Sequence, residues 1–176
     1  MKISYLIASL LLVFGCNSKS GETTTQGVDQ ETDSQKITAK DIDNLKYTDY
    51  VLSSDANEAV VNWQRYQELM VQMEFLRQGD FSFFGGKNEL LLNFLKDLKN
   101  DLPETVATPS IKERLIALDT KILKFHSTLQ LSNAKKKELL KNIKEILVAT
   151  SNLHLQINKK FELESQVIED PSAPKI

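Results

Sequence analysis

The chain has 176 residues, of which 41% are hydrophobic and 7% aromatic, and its 22 Lys or Arg nearly balance its 24 Asp or Glu. This length predicts one domain with a core large enough to fold unaided. Only six glycines and four prolines are present, which argues against turn-rich β folds such as barrels and propellers. Without an excess of basic charge, the composition gives no indication of nucleic acid binding.

The first 15 residues have the pattern of a secretory signal. Lys2 precedes a twelve-residue run, residues 3–14, that is almost entirely apolar, and the small Gly15 follows it. A helix of that length rises about 18 Å, which is too short to cross a hydrocarbon core about 30 Å thick. A basic residue, a short apolar run and a small residue are typical of a cleaved signal peptide, which we predict over residues 1–15.

The only cysteine of the chain, Cys16, follows this run directly. Residues 13–16, Val-Phe-Gly-Cys, resemble the lipobox of bacterial lipoprotein precursors. The resemblance implies a diacylglyceryl group on Sγ of Cys16, cleavage before Cys16 and acylation of the new amino group. Two or more acyl chains would anchor the protein stably in a lipid bilayer. The alternatives are an ordinary signal peptide with a free cysteine and a buried N-terminal helix, but a lone cysteine behind a small residue favours the lipoprotein.

The segment after the cysteine is polar and acidic. Over residues 17–36 the only apolar side chain is Val28, so this segment buries too little surface to offset its ordering entropy. We therefore predict that residues 16–36 are a lipidated cysteine and a disordered linker. Asn17 stands where some Gram-negative lipoproteins carry the aspartate that marks inner-membrane retention. We expect an outer-membrane anchor that faces the periplasm.

The remaining chain is predicted to be helical, because apolar residues recur at spacings of three and four. Capping residues and prolines divide this pattern into separate segments. We predict, in chain order, a short helix opened by Thr38 and Asp41, an undecided segment over 47–52, a helix over 55–78, a loop over 79–86, a helix over 91–102, a helix from Thr108-Pro109 to 129, and a helix capped by Ser132 that ends near Ser165.

Four of these helices have wide apolar faces and short joints, which predicts an antiparallel bundle. No run of period-two alternation is long enough for a sheet. The expected fold is therefore all-α, with the bundle over residues 37–165 and a disordered tail over residues 166–176.

The two histidines do not form a metal-binding pattern. Residues three before His126 and His154 are Leu123 and Ser151, so neither histidine belongs to a Glu-x-x-His pair. In a hairpin that turns near Leu131, the histidines would lie roughly 27 Å apart. We expect His126 to face solvent. We expect His154 to lie at the boundary of the core, rather than to act as a pH-sensitive or ligand-contacting group in the interior.

Other motifs for chemistry are also missing from the sequence. No Gly-x-Ser-x-Gly occurs, and Gly85-Gly86 lacks the spacing of a phosphate-binding loop. Asp97 and Asp101 are expected to solvate the polar side of their helix. The sequence therefore predicts no catalytic residue, no metal and no cofactor, and we expect that the protein is not an enzyme.

One lysine cluster is a candidate binding surface. It lies between residues 135 and 144 and is interrupted by Glu138, with Glu145 next to it. The cluster could contact anionic headgroups or an acidic partner, but a solvated helix face is favoured.

Three phenylalanines crowd into the predicted loop, at Phe81, Phe83 and Phe84. The simplest interpretation is that the rings cover the open end of the bundle. Three rings in four positions cannot easily all point one way, so we hypothesise that Phe83 or Phe84 is exposed and contacts a partner.

These observations predict a membrane-tethered envelope lipoprotein that acts as a non-catalytic protein-interaction module. Its partners would be the lipid bilayer, through acyl chains on Cys16, and an unidentified envelope protein. The alternative is a carrier of a small hydrophobic ligand in a pocket between the helices. An enzyme with an unrecognised site is a third, less favoured class.

Overall fold

The computed structural model describes residues 36–166 of the chain. The predicted signal peptide, lipidated Cys16, the linker up to residue 35 and the tail from residue 167 lie outside the described residues. Every regular element in the described part is helical, which confirms the all-α fold. No helix there combines the length and the apolar character needed to cross a membrane.

The described elements are seven α-helices and one short 3-10 turn, and four of the helices are much longer than the rest. The long helices, α3, α5, α6 and α7, agree with the predicted bundle of about four helices. In chain order the elements are α1 (Ala39–Asp43), α2 (Ser54–Val60), α3 (Gln64–Arg77), α4 (Ser82–Gly85), α5 (Asn88–Asn100), the 3-10 turn (Glu104–Val106), α6 (Pro109–Leu129) and α7 (Lys136–Ser165).

Two helix starts follow from local sequence, as predicted. Thr38 and Asp41 form a capping box, in which the Thr38 side chain accepts from the Asp41 amide and the Asp41 carboxylate accepts from the Thr38 amide. Thr108 accepts from the amide of Ile111, and Pro109 occupies the first helical position of α6.

The predicted helix over 55–78 is wrong in one respect, because it is two helices with a break at residues 61–63. Trp63 turns into the core with 1% of its surface exposed, and its indole N–H donates to the carbonyl of Leu98 at 3.1 Å. The Val60 carbonyl at the end of α2 accepts from the backbone amide of Trp63 at 3.0 Å and from the side-chain amide of Gln67 at 2.9 Å. Burial of the indole therefore outweighs continuation of the helix.

The predicted cap at Ser132 is also wrong, because α7 begins at Lys136, after Lys135. Ser132 lies in the exposed turn between α6 and α7. The helices pack antiparallel, since Lys121 pairs with Glu145 while Thr128, further along α6, meets Asn142. This register leaves residues 130–135 to form the connection.

One core joins all the longer helices, and each buried aliphatic or aromatic side chain stabilises it by about 1.5–3 kcal/mol. Its largest fully buried members are Trp63, Phe84, Phe125, Leu69, Leu76, Leu91, Leu95, Ile111, Leu118, Ile122, Ile143 and Ile146.

Candidate functional site

The phenylalanine segment forms the short helix α4 where a loop was predicted. Phe84 is 0% exposed, so the hypothesis that its ring is exposed and contacts a partner is wrong. Its ring and that of Phe81 both pack on Phe125, with centroids 5.8 and 5.4 Å away. Phe83 is half-buried and packs edge-to-face on Phe94 at 5.0 Å. The rings thus cover the end of the bundle, and a partner contact at Phe83 stays a prediction.

His126 does not face solvent as expected, because only 7% of its surface is exposed. Its Nδ1 lies 2.7 Å from the carbonyl oxygen of Phe84. A carbonyl only accepts, so Nδ1 carries the hydrogen and donates it. This hydrogen bond joins α6 to α4 and holds the side chain of His126 in its buried position.

His154 is half-buried at the boundary of the core, and both its ring nitrogens are engaged. Nδ1 lies 2.8 Å from the Tyr50 carbonyl, and Nε2 lies 2.8 Å from the Tyr66 hydroxyl. Nδ1 therefore donates, and Nε2 of the neutral ring accepts from Tyr66. Burial lowers the pKa of His154 and raises the pKa of Tyr66, so both groups stay uncharged at neutral pH.

The undecided segment near residue 50 is a strap without regular secondary structure, residues 47–53, that lies along α7. The Ser151 hydroxyl donates to the Thr48 carbonyl and accepts from the Tyr50 amide. One turn beyond His154, the Asn158 side chain accepts from the Ser53 amide and donates to the Val51 carbonyl, both at 2.8 Å. These polar groups of α7 satisfy the strap backbone, so their role is structural.

The two histidines bond to different elements: His126 to α4 and His154 to the strap. In residues 36–166 no three His, Cys, Asp or Glu side chains are grouped in a way that could hold a metal ion. Asp97 pairs with Arg65 at 3.4 Å, and Asp101 is exposed at the end of α5.

The most distinctive surface feature is a groove of about 480 Å³ between α6 and α7, here called the basic groove. Its floor is apolar and its edges carry several cations. The lining residues are Arg114, Ala117, Lys121, Lys141, Lys144, Glu145, Val148, Ala149 and Asn152.

Glu145 is the single acidic residue of this lining, and it is already paired. Lys121 lies 3.1 Å and Lys124 lies 2.9 Å from its carboxylate. These lysines hold the pKa of Glu145 below its usual range. Within the described chain, the cations of Arg114, Lys141 and Lys144 form no ion pair. The groove therefore presents an uncompensated positive field.

Only part of this surface has a signal in the sequence. Lys141 and Lys144 belong to the predicted lysine cluster, but Lys136 pairs with Asp41 of α1 at 3.1 Å instead. The contribution of α6, above all Arg114, carried no sequence signal, because it depends on the register of the two helices.

A second groove, of about 600 Å³, lies between the strap and α3. Tyr50, Val51 and Val71 contribute exposed apolar surface to it. Its charged groups compensate one another, since Arg77 pairs with Asp49 at 2.9 Å and lies near Glu74.

Comparison with known proteins adds no assignment: no family model matches the chain, and no curated protein or solved structure matches it.

Proposed function

We propose that the chain is an envelope lipoprotein, held in the outer membrane by acyl chains on Cys16 and facing the periplasm. Its helical domain, residues 37–165, binds another envelope protein and catalyses no reaction. The observation that carries this proposal is the basic groove, which combines a concave apolar floor with three cations, those of Arg114, Lys141 and Lys144, that lack an ion-pair partner among the described residues. Such a surface is suited to recognition by burial and charge together.

The histidines support a binding role over a catalytic one. His126 donates to a backbone carbonyl, and His154 is held between Tyr50 and Tyr66. Both side chains connect helices or hold the strap. The cations of Arg114, Lys141 and Lys144, in contrast, form no ion pair with another described residue.

A carrier of a small hydrophobic ligand is the second candidate, and the volume of the groove is its support. Small-molecule pockets have volumes of about 300–1,000 Å³. The space between the helices, however, is filled by buried rings such as Phe84 and Phe125. The basic groove is open, and Arg114 and Lys141 on its edges are exposed. These features favour a macromolecular partner.

Site-specific photo-crosslinking in native membranes tests the proposal. The crosslinking side chain replaces Ala117 on the groove floor, and the control replaces Lys96, which is exposed on α5. We expect the Ala117 probe to form an adduct whose peptide map identifies one segment of one envelope protein. A protein adduct no stronger than at Lys96 would contradict the proposal, and an adduct with a small hydrophobic molecule would favour the carrier.

A further inference from the structure

The dimensions of the basic groove fit a helix. On α6 its lining runs from Arg114 to Lys121, and on α7 from Lys141 to Asn152. At 1.5 Å per residue these stretches are about 10 and 16 Å long, which corresponds to two or three helical turns. α6 and α7 lie side by side and form the two walls of the groove, and a third helix can lie between them.

The floor of the groove permits close approach. Its central side chains are Ala117, Val148 and Ala149, which are small or short. Packed helices have axes about 8–10 Å apart, and small contact residues give the shorter distances. The floor therefore favours an apolar turn on the occupant.

Cations stand at both ends of this floor. The Lys121–Glu145 pair places Arg114 across from Asn152, at one end. Lys141 and Lys144 are at the other end. An occupant that matches this arrangement carries carboxylates before and after its apolar turn.

The surrounding hairpin has the same sign of charge. Residues 112–145 contain nine Lys or Arg and four Asp or Glu, although the chain as a whole is slightly acidic. A concentrated field of this kind attracts an acidic partner over a distance and orients it.

We infer that the basic groove binds an acidic amphipathic helix of the partner protein, with one apolar turn between two acidic turns. This inference rests on the proposed function and specifies the partner. A helix is favoured over an anionic membrane surface because the apolar side chains lie on the floor of a concavity. A flat layer of headgroups would reach the cations on the edges but would leave that floor uncovered.

A fluorescence anisotropy titration tests the inference, using the full chain in nanodiscs of zwitterionic lipid. The probe is a labelled synthetic helix of about 18 residues, or five turns, with a Leu turn between two Glu turns. Its analogue carries Gln in place of every Glu. We expect the Glu helix to bind in a salt-sensitive manner and the Gln analogue to bind at least about tenfold more weakly.

Variants of the chain locate the binding. We expect Arg114→Glu/Lys141→Glu/Lys144→Glu to weaken the Kd by about tenfold or more. The control, Lys46→Glu/Lys96→Glu/Lys159→Glu, makes the same change in net charge at exposed positions elsewhere, and we expect its Kd to stay within about threefold of the wild type. Ala117→Trp fills the groove without removing charge and should also weaken binding. Circular dichroism checks that each variant is helical.

Several results would overturn the inference. These are failure of the Glu helix to bind, equal binding of the Gln analogue, and equal weakening by the control variant. Binding to phosphatidylglycerol vesicles but not to the Glu helix would assign the groove to lipid. Binding of the helix only after Asp29, Glu31 and Asp33 are neutralised would assign it to the chain's own linker. A crosslink from Ala117 to a non-acidic protein segment would leave the proposed function intact while this inference fails.

Discussion

The side-chain amide of Asn142 on α7 donates a hydrogen bond to Oγ1 of Thr128 on α6, at 2.8 Å in the core. Thr128 in turn donates to the carbonyl of Lys124. We expect this buried pair to help set how far α7 is shifted along α6, because a polar pair in an apolar helix contact can determine register. The same register brings Arg114 of α6 together with the lysines of α7 in the basic groove.

Replacement of Asn142 by Leu tests whether the hydrogen bond of this pair stabilises the fold. Oδ1 of Asn142 is buried and has no hydrogen-bond partner among the described residues, whereas Thr128 keeps its bond to Lys124 after the change. An unpaired buried oxygen costs about 1–3 kcal/mol. We therefore expect the free energy of unfolding of Asn142→Leu to equal or exceed that of the wild type in a denaturant titration. A loss above about 2 kcal/mol would show that the hydrogen bond itself is stabilising.

Phe83 and Phe84 differ in burial and should therefore differ in how much they stabilise the fold. Phe84→Ala removes a ring that is 0% exposed, and we expect a loss of about 3–5 kcal/mol in the free energy of unfolding. Phe83→Ala removes a half-buried ring and should cost clearly less. Denaturant titrations of the two variants check the order, which equal losses would contradict. Capture of a partner that is weakened by Phe83→Ala alone would support the predicted contact at Phe83.

The environment of His154 makes the free energy of unfolding depend on pH. Burial lowers its pKa in the folded state, so the unfolded chain binds the proton more readily. The neutral His154 ring then contributes its full stabilisation at a pH above its pKa in the unfolded chain, about 6.5. This contribution is lost as the pH falls through the pKa of the folded state. Asp49 and Arg77 lie nearby with opposite charges and compensate one another.

Thermal melts between about pH 7 and 5 measure this effect. We expect the melting temperature of the wild type to fall over this range and that of His154→Gln to fall less. Equal slopes for both proteins would contradict the assignment. The carboxylates of Asp41 and Glu145 have lowered pKa values and therefore contribute at more acidic pH.

Some of the fold was predictable because its causes are local. Thr38 with Asp41, and Thr108 with Pro109, begin helices through contacts within four residues. The break at residues 61–63 is not predictable, since it depends on a contact of Trp63 with Leu98 in another helix. For the same reason the inward position of His126, set by the carbonyl of Phe84, had no signal in the sequence around it.

The candidate site follows the same division. The lysines at 141 and 144 are close in sequence, so the sequence alone shows them as a cluster. Arg114 precedes them by almost thirty residues and joins them only through packing of the hairpin. Exposed cations do not belong to the periodic apolar pattern of a helix, so the sequence does not show which other helix they lie beside. A groove between helices is therefore invisible until the register is known.

The lipid anchor is tested by Cys16→Ser. The substitution removes the thiol that the lipobox resemblance assigns to diacylglyceryl transfer. We expect the variant to leave the membrane fraction or to accumulate as an uncleaved precursor. Cell fractionation and mass spectrometry of the N-terminus measure both outcomes. Wild-type processing and fractionation of the variant would refute the anchor.

The helical domain is expected to fold without a metal or a disulfide. Residues 37–165 contain no cysteine and pack around a continuous apolar core. We expect their cooperative thermal melt to be unchanged by a chelator and by a reductant. A lower melting temperature with chelator would reveal a metal site that contributes to folding.

The central claim is that the basic groove receives a partner protein. The most direct measurement is the yield of the Ala117 photo-crosslink in native membranes, with and without Arg114→Glu/Lys141→Glu/Lys144→Glu. We predict a defined protein adduct in the wild-type background that is lost when these three charges are reversed and kept when Lys46, Lys96 and Lys159 are reversed instead. An adduct of equal yield in all three backgrounds, or no protein adduct in any of them, would contradict the claim.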